Sequence, residues 1–280
     1  MEKFPEAHDI IVNKCAEIEV IHVEPASMEQ LLCVHDRKYL EAIRDGKLTR
    51  YDRNRLGLPH DPRLLERSAM ETSGTIQAAE AALKDGIAAN LAGGTHHAFA
   101  NRGLGFCVLN DIAVSIVNLR HRDPELHVMV IDTDAHQGNG THALLREDLF
   151  AFTYSIHVGK NYPAQKEPGD YDVPLPRWVE GAEYLRSLEK TLPETFHRAE
   201  PDLIYWIAGA DLHIDDRFGQ MKLTEADMAT RDAFVLDLVR CWEIPVVILY
   251  GGGYNRSAGM TARLHANTVL MAQQFTMSPQ

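Results

Sequence analysis

The chain has 280 residues, of which 40 are acidic and 28 are basic, and its formal charge is −12. A phosphate backbone binds to a basic surface, so nucleic-acid binding is disfavoured, whereas a cationic substrate such as a lysine-bearing peptide or a polyamine would be attracted. The sequence contains no apolar run of membrane-spanning length and no signal-peptide centre. Its four cysteines are scattered without a CxxC pair, which indicates reduced thiols and a cytoplasmic protein.

Strand-like and helix-like segments alternate along the chain. Strands are predicted over Ala88–Ala92, Val128–Asp132, Ala151–His157, Leu203–Ala208 and Val246–Tyr250. Helices are predicted over Leu64–Lys84, Asp111–His121, Ala182–Arg198, Thr224–Arg240 and Ala258–Gln273. This alternation is typical of an open, mostly parallel α/β sheet flanked by helices. No linker, repeat or low-complexity block interrupts it, so residues 1–280 are predicted to form a single domain.

Polar or glycine-rich residues follow or end each predicted strand. In chain order they are Gly93–His97, Asp134–His136, His157, Gly209–Asp211 and Gly251–Tyr254. Open α/β sheets bind ligands outside the carboxyl ends of their strands, so we expect these five segments to face one crevice.

The segment after the second predicted strand carries the sharpest chemical signal. Asp132, Asp134 and His136 alternate, so their side chains share one face of an extended chain. Leaving these groups unpaired at the end of a buried strand would cost several kcal/mol each, so the pattern requires a metal ion or tightly paired partners. Asp211 would complete a metal site with open positions, although it could also cap the following segment. Two carboxylates and one imidazole suit Zn²⁺ or Fe²⁺.

Three further side chains could carry out acid–base chemistry in the same crevice. One imidazole of His96–His97 could take a proton from water while the other stabilises developing charge. The Tyr254 hydroxyl could polarise a carbonyl group. A solvated turn for the two histidines and a packed tyrosine in a flexible loop remain open as alternatives. The triple glycine at Gly251–Gly253 lacks the GxGxxG spacing of a nucleotide site.

Six short segments between Gly93 and Tyr254 closely resemble those of the histone deacetylase family, which also includes acetylpolyamine amidohydrolases and bacterial acetoin-utilisation proteins. The segments are GGTHHAF, GFCVLND, DTDAHQGNGT, YSIH, AGAD and YGGGY. Within the family, DAHQGNG and the Asn161–Pro163 loop are most similar to class IV deacetylases and their bacterial relatives. Family members normally begin with a strand before the position of Met1, so we expect that strand to be short or missing.

The resemblance implies a catalytic role for each matching polar residue. It makes Asp134, His136 and Asp211 the zinc ligands. It makes His97 the general base and acid, His96 its electrostatic neighbour and Tyr254 the carbonyl-polarising hydroxyl. Asp132 would orient His96, and Asn139 would orient His97.

The resemblance also implies how substrate and a second ion are held. Phe106 and Tyr162 would form the walls of a narrow acyl-lysine tunnel, with Gly105 and Gly253 beside the substrate. A structural potassium ion would be bound by Asp132, Ser155 and the main chains of Asp134, His136 and Ile156.

The predicted activity is therefore zinc-dependent removal of acetyl or longer acyl groups from the side-chain amine of lysine. A dimer with a constricted entrance would favour an acetylpolyamine amidohydrolase instead. A binuclear arginase-like site is disfavoured because Gly138 stands where the second metal requires Asp. A catalytically silent acyl-lysine-binding scaffold is the alternative outside the enzyme class, and the intact His96–His97 pair and Tyr254 disfavour it.

The length of the acyl group is a separate hypothesis. Gly103, Gly105, Gly138 and Gly140 could leave room for an apolar pocket beyond the metal, although glycines also serve tight turns. We expect medium or long acyl groups to be removed at least as efficiently as acetyl.

Overall fold

A computed structural model describes residues 3–59 and 61–275. Its sheet contains the strands β1 (Ile87–Asn90), β2 (Val128–Asp132), β3 (Ala151–Val158), β4 (Tyr171–Leu175), β5 (Leu203–Ile207) and β6 (Val246–Leu249). They pair in the order β1-β6-β5-β2-β3-β4, and each pairing is parallel. The predicted open parallel sheet is confirmed, and its carboxyl ends meet at one edge.

The described helices surround this sheet. Five of them correspond to the predicted helices: α5 (Leu64–Asp85), α6 (Asp111–Arg120), α8 (Gly181–Ala199), α9 (Glu225–Cys241) and α10 (Ala258–Gln273). The others, which were not predicted, are α1 (Lys3–Lys14), α2 (Met28–Leu32), α3 (Arg37–Arg44), α4 (Arg50–Leu56) and α7 (Asn139–Leu145). No helix in the described ranges is long and apolar enough to cross a membrane.

Successive residues of the central strands face opposite layers of the core. Val128 and Val130 pack with α5 and α6, whereas Met129 and Ile131 pack with α8 and α9. All five residues of β2 are buried, as expected for a parallel strand covered on both faces. This strand can therefore place Asp132 and the residues after it at a fixed, dry position.

Strand β4 was not predicted from the sequence. It lies at the edge of the sheet, pairs only with β3 and is mostly half-buried. Pro174 interrupts its pattern, and proline is tolerated in edge strands because one side of such a strand has no partner. At the opposite edge, β1 pairs with β6, and α1 packs against α10 nearby.

Candidate active site

Loops at the carboxyl ends of four strands line one cavity of about 740 Å³. Gly93–His97 follow β1, Asp134–His136 follow β2, Asp211 follows β5, and Gly251–Tyr254 follow β6. The structure thus brings four of the five predicted segments together. His157 is not among the cavity-lining residues: it is buried within β3, with Nδ1 2.9 Å from the Ser155 hydroxyl.

Asp134, His136 and Asp211 form the one cluster of potential metal ligands in residues 3–59 and 61–275, with ligand atoms within 4.8 Å of one another. His136 Nδ1 lies 3.0 Å from Asp134 Oδ1 and 2.8 Å from Asp211 Oδ2. On its other side, His136 Nε2 lies 3.3 Å from the Phe218 carbonyl oxygen, to which it can donate a hydrogen bond. The imidazole therefore turns Nδ1, the atom that would bind a metal after losing its proton, towards the two carboxylates.

The electrostatics of these protein groups fit a bound cation. Burial and the negative charge of Asp134 raise the pKa of Asp211 to about 7. Burial opposes charging of His136, but its hydrogen bonds to Asp134 and Asp211 outweigh this effect and raise its pKa well above the usual range. Two adjacent buried carboxylates repel each other, so a divalent ion between them would relieve a real electrostatic cost.

The two histidines of the loop after β1 lie close together, with ring centroids 4.1 Å apart and ring planes tilted by 50°. His96 Nδ1 lies 2.7 Å from Asp132 Oδ2, and His97 Nδ1 lies 3.0 Å from Asn139 Oδ1. Because an amide oxygen can only accept a hydrogen bond, Nδ1 of His97 carries the proton and Nε2 keeps its lone pair. The partners are those that the resemblance implied, one a carboxylate and the other a neutral amide.

The different partners give the two imidazoles opposite pKa shifts. Burial disfavours the charged form of His96, but the charges of Asp132 and Asp134 prevail and raise its pKa to about 9. Burial, together with the charges of His96 and His136, holds the pKa of His97 well below its usual range. The pair therefore contains a cationic imidazole beside a neutral one, which can act as a base.

A buried carboxylate that the sequence analysis did not assign fixes the histidine loop. Asp111, at the start of α6, accepts hydrogen bonds from the backbone N–H groups of Gly94 and Thr95 and from the hydroxyls of Thr75 and Thr95. Asp111 is the last residue of the GFCVLND segment, so the sequence contained a local pattern that could have pointed to it. Only the fold shows that its partners lie in the loop before His96.

Asp216 and Arg217, which sequence analysis also missed, hold the loop that carries Tyr254. The Tyr254 N–H donates to the Asp216 carboxylate, and the Arg217 Nε donates to the Tyr254 carbonyl oxygen at 3.0 Å. Burial raises the pKa of the Tyr254 hydroxyl. Tyr254 thus keeps its proton and can donate a hydrogen bond inside the cavity.

Aromatic rings form the outer walls of the cavity. Phe106 and Phe218 have centroids 6.4 Å apart, and each lies about 5.5 Å from the Tyr254 ring. Tyr162 stands edge-on to His97 at 5.1 Å. Phe106 and Tyr162 were predicted as walls, whereas Phe218 was missed because it lies in an irregular segment without a motif.

The glycines that were expected to make room for a long acyl chain differ in their surroundings. A Cβ at Gly103 would lie 2.7 Å from Leu56, and one at Gly138 would lie 2.6 Å from Asp132. A Cβ at Gly140 would lie 2.3 Å from the Ala98 carbonyl oxygen. These three glycines permit close packing and do not line the cavity. Gly105 and Gly253, predicted to lie beside the substrate, do line it.

Two of the predicted potassium ligands, Asp132 and Ser155, lie on neighbouring strands. Asp132 is opposite Ser155 in the pairing of β2 with β3, and both are buried. The Asp132 carboxylate accepts hydrogen bonds from the Asp134 N–H and from His96. The register brings the two side chains onto neighbouring strands, which the sequence could not establish.

Comparison with known sequences identifies relatives across the chain. The family "Histone deacetylase domain" matches residues 2–270. The chain is 37% identical over 224 residues to an uncharacterized protein of Picosynechococcus sp., covering 80% of this chain and 75% of that one. It is 32% identical over 258 residues to histone deacetylase 2 of Arabidopsis thaliana, covering 88% and 66%.

A further relative is the acetoin utilization protein AcuC of Staphylococcus aureus strain MSSA476, 30% identical over 266 residues, covering 87% of this chain and 68% of that one. The chain thus spans about two thirds to three quarters of the length of these relatives.

Solved structures share the fold. The crystal structure of an HDAC homolog from Aquifex aeolicus superposes with a TM-score of 0.82 at 25% identity, covering 97% of this chain and 77% of that one. An HDAC homolog complexed with SAHA gives a TM-score of 0.78 at 27% identity, covering 98% and 81%.

Proposed function

The chain belongs to the histone deacetylase family of amide hydrolases, and we propose that it removes acyl groups from the side-chain amine of lysine in proteins or peptides. The observation that carries the proposal is the placement of a potential metal cluster, a neutral imidazole and a protonated tyrosine in one cavity. Amide hydrolysis needs a polarised carbonyl, an activated water and a proton for the leaving amine, and these groups can supply all three.

Asp134, His136 and Asp211 would hold the metal, and we propose zinc because this donor set with open positions suits it. Such an ion supplies positive charge that polarises an amide carbonyl and lowers the pKa of water toward ~7. Ferrous iron is compatible with the same donors. We also propose a structural potassium ion held by Asp132, Ser155 and the main chains of Asp134, His136 and Ile156.

His97 would act first as a base and then as an acid. Its Nδ1–H is held by Asn139, so Nε2 is free to accept the proton of the attacking water. Once protonated, a buried imidazole with a low pKa releases its proton readily to the departing amine. The products are a free amine and a carboxylate.

His96 and Tyr254 would stabilise the negative charge that develops on the carbonyl oxygen. His96 is kept cationic by Asp132, and its charge lies beside the reacting groups without being consumed. The Tyr254 hydroxyl would donate a hydrogen bond to the oxygen, which matters most in the transition state. Phe106, Phe218 and Tyr162 would enclose the lysine methylenes, with Gly105 and Gly253 contacting the substrate beside them.

The proposed acyl preference extends to medium and long chains. The cavity volume of about 740 Å³ lies within the ~300–1,000 Å³ of sites that enclose drug-sized ligands, so there is room beyond an acetyl group. Against this, Lys3, Arg67 and Glu71 also line the cavity, and an alkyl chain beside them would desolvate charged groups.

The deciding experiment measures kcat/KM on one peptide carrying acetyl-, octanoyl- or myristoyl-lysine, beside acetylated polyamines, with Tyr254→Phe as the slow control. Hydrolysis of the peptides supports the proposal. Turnover restricted to polyamines would make the chain an acetylpolyamine amidohydrolase, and binding without turnover would make it a scaffold. An acetyl preference of tenfold or more over both longer chains would reject the acyl-length proposal.

The compartment is part of the proposal. The four cysteines Cys15, Cys33, Cys107 and Cys241 are free thiols, which supports a reducing environment such as the cytoplasm.

A further inference from the structure

Two arginines line the entrance of the cavity, although the chain as a whole is acidic. The chain has a formal charge of −12, yet Arg55 and Arg217 line the cavity next to its outer aromatic walls. The three carboxylates of the lining are Glu71, Asp134 and Asp211. Asp134 and Asp211 belong to the metal cluster, and Glu71 lies 3.5 Å from Arg67, so none of the three pairs with Arg55 or Arg217. Asp216, next to Arg217 in the chain, accepts the backbone N–H groups of Tyr254, Phe218 and Gly219 instead.

Arg55 is held beside one wall by the backbone. Its carbonyl oxygen accepts the Gly105 N–H at 3.1 Å, and the next residue, Leu56, accepts the Phe106 N–H at 2.8 Å. The guanidinium Nη1 donates to the Tyr51 hydroxyl at 3.3 Å. Burial raises the pKa of Tyr162 to about 12, and the charge of Arg55 acts in the opposite direction, so this charge also acts on the Tyr162 side of the cavity.

Arg217 is held beside the other wall. It precedes Phe218 in the chain, and its Nε donates to the Tyr254 carbonyl oxygen at 3.0 Å. In the described part of the chain, its two terminal NH₂ groups have no hydrogen-bond partner, and the ion pairs include neither Arg55 nor Arg217. Phe106 and Phe218, the rings beside them, are 40% and 45% exposed, which places the arginines at the mouth.

A substrate at this entrance interacts more strongly with nearby charged groups than with the net charge of the molecule. At an ionic strength of 0.1 M, charges beyond about 10 Å are largely screened, so distant surface carboxylates contribute little. A guanidinium without a carboxylate partner can form a two-pronged hydrogen-bonded pair with one supplied by a ligand.

We infer that this site selects an acyl-lysine that carries a carboxylate close to its backbone, which Arg55 and Arg217 bind at the mouth. The carboxylate could belong to a flanking Asp or Glu in a peptide or be the α-carboxylate of acyl-lysine itself. This inference rests on the proposed function, and it reverses the expectation from net charge that a cationic polyamine or basic peptide is preferred.

The test compares acetyl-lysine peptides of one length whose flanking residues are Glu, Gln or Lys, together with free Nε-acetyl-lysine and its α-amide. Two quantities are measured at low and at 0.5 M salt: kcat/KM of the wild type, and the dissociation constant in a Tyr254→Phe background that turns over slowly. We expect the Glu peptide to be favoured over the Lys peptide by about tenfold at low salt, and less at high salt. The free amino acid and its amide report on the α-carboxylate separately.

The Arg55→Gln/Arg217→Gln double variant should bring this ratio close to one, whereas Arg55→Lys/Arg217→Lys should retain most of it. Arg186→Gln is the matched control, because Arg186 is an exposed arginine of α8 that does not line the cavity. A wild-type enzyme without preference, or one that favours the Lys peptide, overturns the inference. So does a preference that survives the double Gln variant.

The two proposals can fail separately. Binding that depends on the two arginines without hydrolysis of any peptide would reject the proposed function and keep the inference. Hydrolysis of all peptides with equal efficiency would keep the function and reject the inference.

Discussion

At the scale of single residues, Tyr254 is fixed by its backbone, which leaves its side chain available for chemistry. Asp216 binds its N–H and Arg217 binds its carbonyl oxygen, so the ring position does not depend on a contact of the hydroxyl. The hydroxyl is kept protonated because burial raises its pKa. Replacing the Tyr254 side chain should therefore leave the conformation of its loop unchanged.

Tyr254→Phe is expected to lower kcat by ~10²–10³ with little change in KM, because a donor to a developing oxyanion acts mainly in the transition state. Metal content and unfolding temperature should match the wild type. Steady-state kinetics on an acetyl-lysine peptide checks this. A change confined to KM would assign Tyr254 to substrate binding instead.

Asp211→Ala is expected to lose bound metal and activity together, because it removes one of three ligands from a buried cluster. Elemental analysis should find one divalent transition metal per wild-type chain and much less in the variant. Asp215→Ala is the control, since Asp215 is an exposed aspartate four residues away that is not in the cluster. Full metal retention in Asp211→Ala would show that another residue is the third ligand.

At the scale of elements, the segment Gly93–Asn110 is positioned by contacts from both sides rather than by regular structure of its own. The start of α7 lies directly against it: Thr141 N–H donates to the His96 carbonyl oxygen at 3.0 Å. From the other side, His35 accepts the Asn110 N–H at 3.0 Å on Nε2, and its Nδ1 lies 3.2 Å from the Phe99 carbonyl oxygen. The geometry of His96 and His97 therefore depends on two elements distant in the chain.

Gly140→Ala is expected to destabilise the protein by ~1–3 kcal/mol and to lower kcat/KM, because the added methyl group would lie 2.3 Å from the Ala98 carbonyl oxygen. That backbone must shift, and it carries His97. Gly259→Ala in α10 is the control, since its nearest contact would be an ordinary 3.5 Å and its stability should stay within about 1 kcal/mol of wild type. Urea unfolding and kinetics of both variants check this. Equal effects of the two substitutions would contradict it.

His35 predicts a pH dependence of stability. Burial lowers its pKa from 6.5 to about 4, so the unfolded chain binds a proton on this residue more readily than the folded protein. The stability gained from neutral His35 is present above pH 6.5 and is lost as the pH falls from 6.5 towards 4, by about 2 kcal/mol at pH 5.

The measurement is urea unfolding of the wild type and His35→Gln at pH 7.5 and pH 5. The wild type should lose about 2 kcal/mol more than the variant over this interval. His121→Gln, which changes an exposed histidine, should behave like the wild type. An identical loss in the wild type and His35→Gln would show that His35 is not the titrating group.

At the scale of the whole molecule, the sheet separates two hydrophobic layers, and polar groups lie at the carboxyl ends of its strands. The layer containing Trp206 and Tyr184 and the layer containing Tyr205 and Ile112 are both buried, so β2 and β5 are held rigidly. Asp134, His136 and Asp211 follow these two strands directly. Binding of an ion between them should therefore stabilise the whole sheet.

Removal of the metal with a chelator is expected to lower the unfolding temperature by about 5–10 °C, because a ligand at 100 times its Kd contributes ~2.7 kcal/mol. Adding Zn²⁺ back should restore it, as followed by circular dichroism. Asp211→Ala should respond to neither treatment. An unfolding temperature that is independent of metal in the wild type would contradict a site built from both strands.

The main strands and the site segments could be predicted from the sequence because their signals are local. Apolar runs that end in DTDAH, AGAD and YGGGY indicate buried strands followed by polar groups. Apolar residues that recur about every 3.6 positions indicate the long helices. The helices α1 to α4 and the edge strand β4 were not predicted. Helices α2 to α4 contain only five to eight residues and β4 only five, including a proline, so their patterns are too short to identify, and packing against other elements stabilises them.

The sequence by itself determined the parallel α/β architecture, the family and the residues that could form a metal and acid–base site, because these depend on patterns within a few residues. Only the tertiary structure decided which partners complete that site. Asp111 reaches the loop before His96, Phe218 faces Phe106, and Arg55 lies beside Gly105, across separations of 17 to 112 residues. Such contacts arise from the packing of elements around the sheet, and no local pattern encodes them.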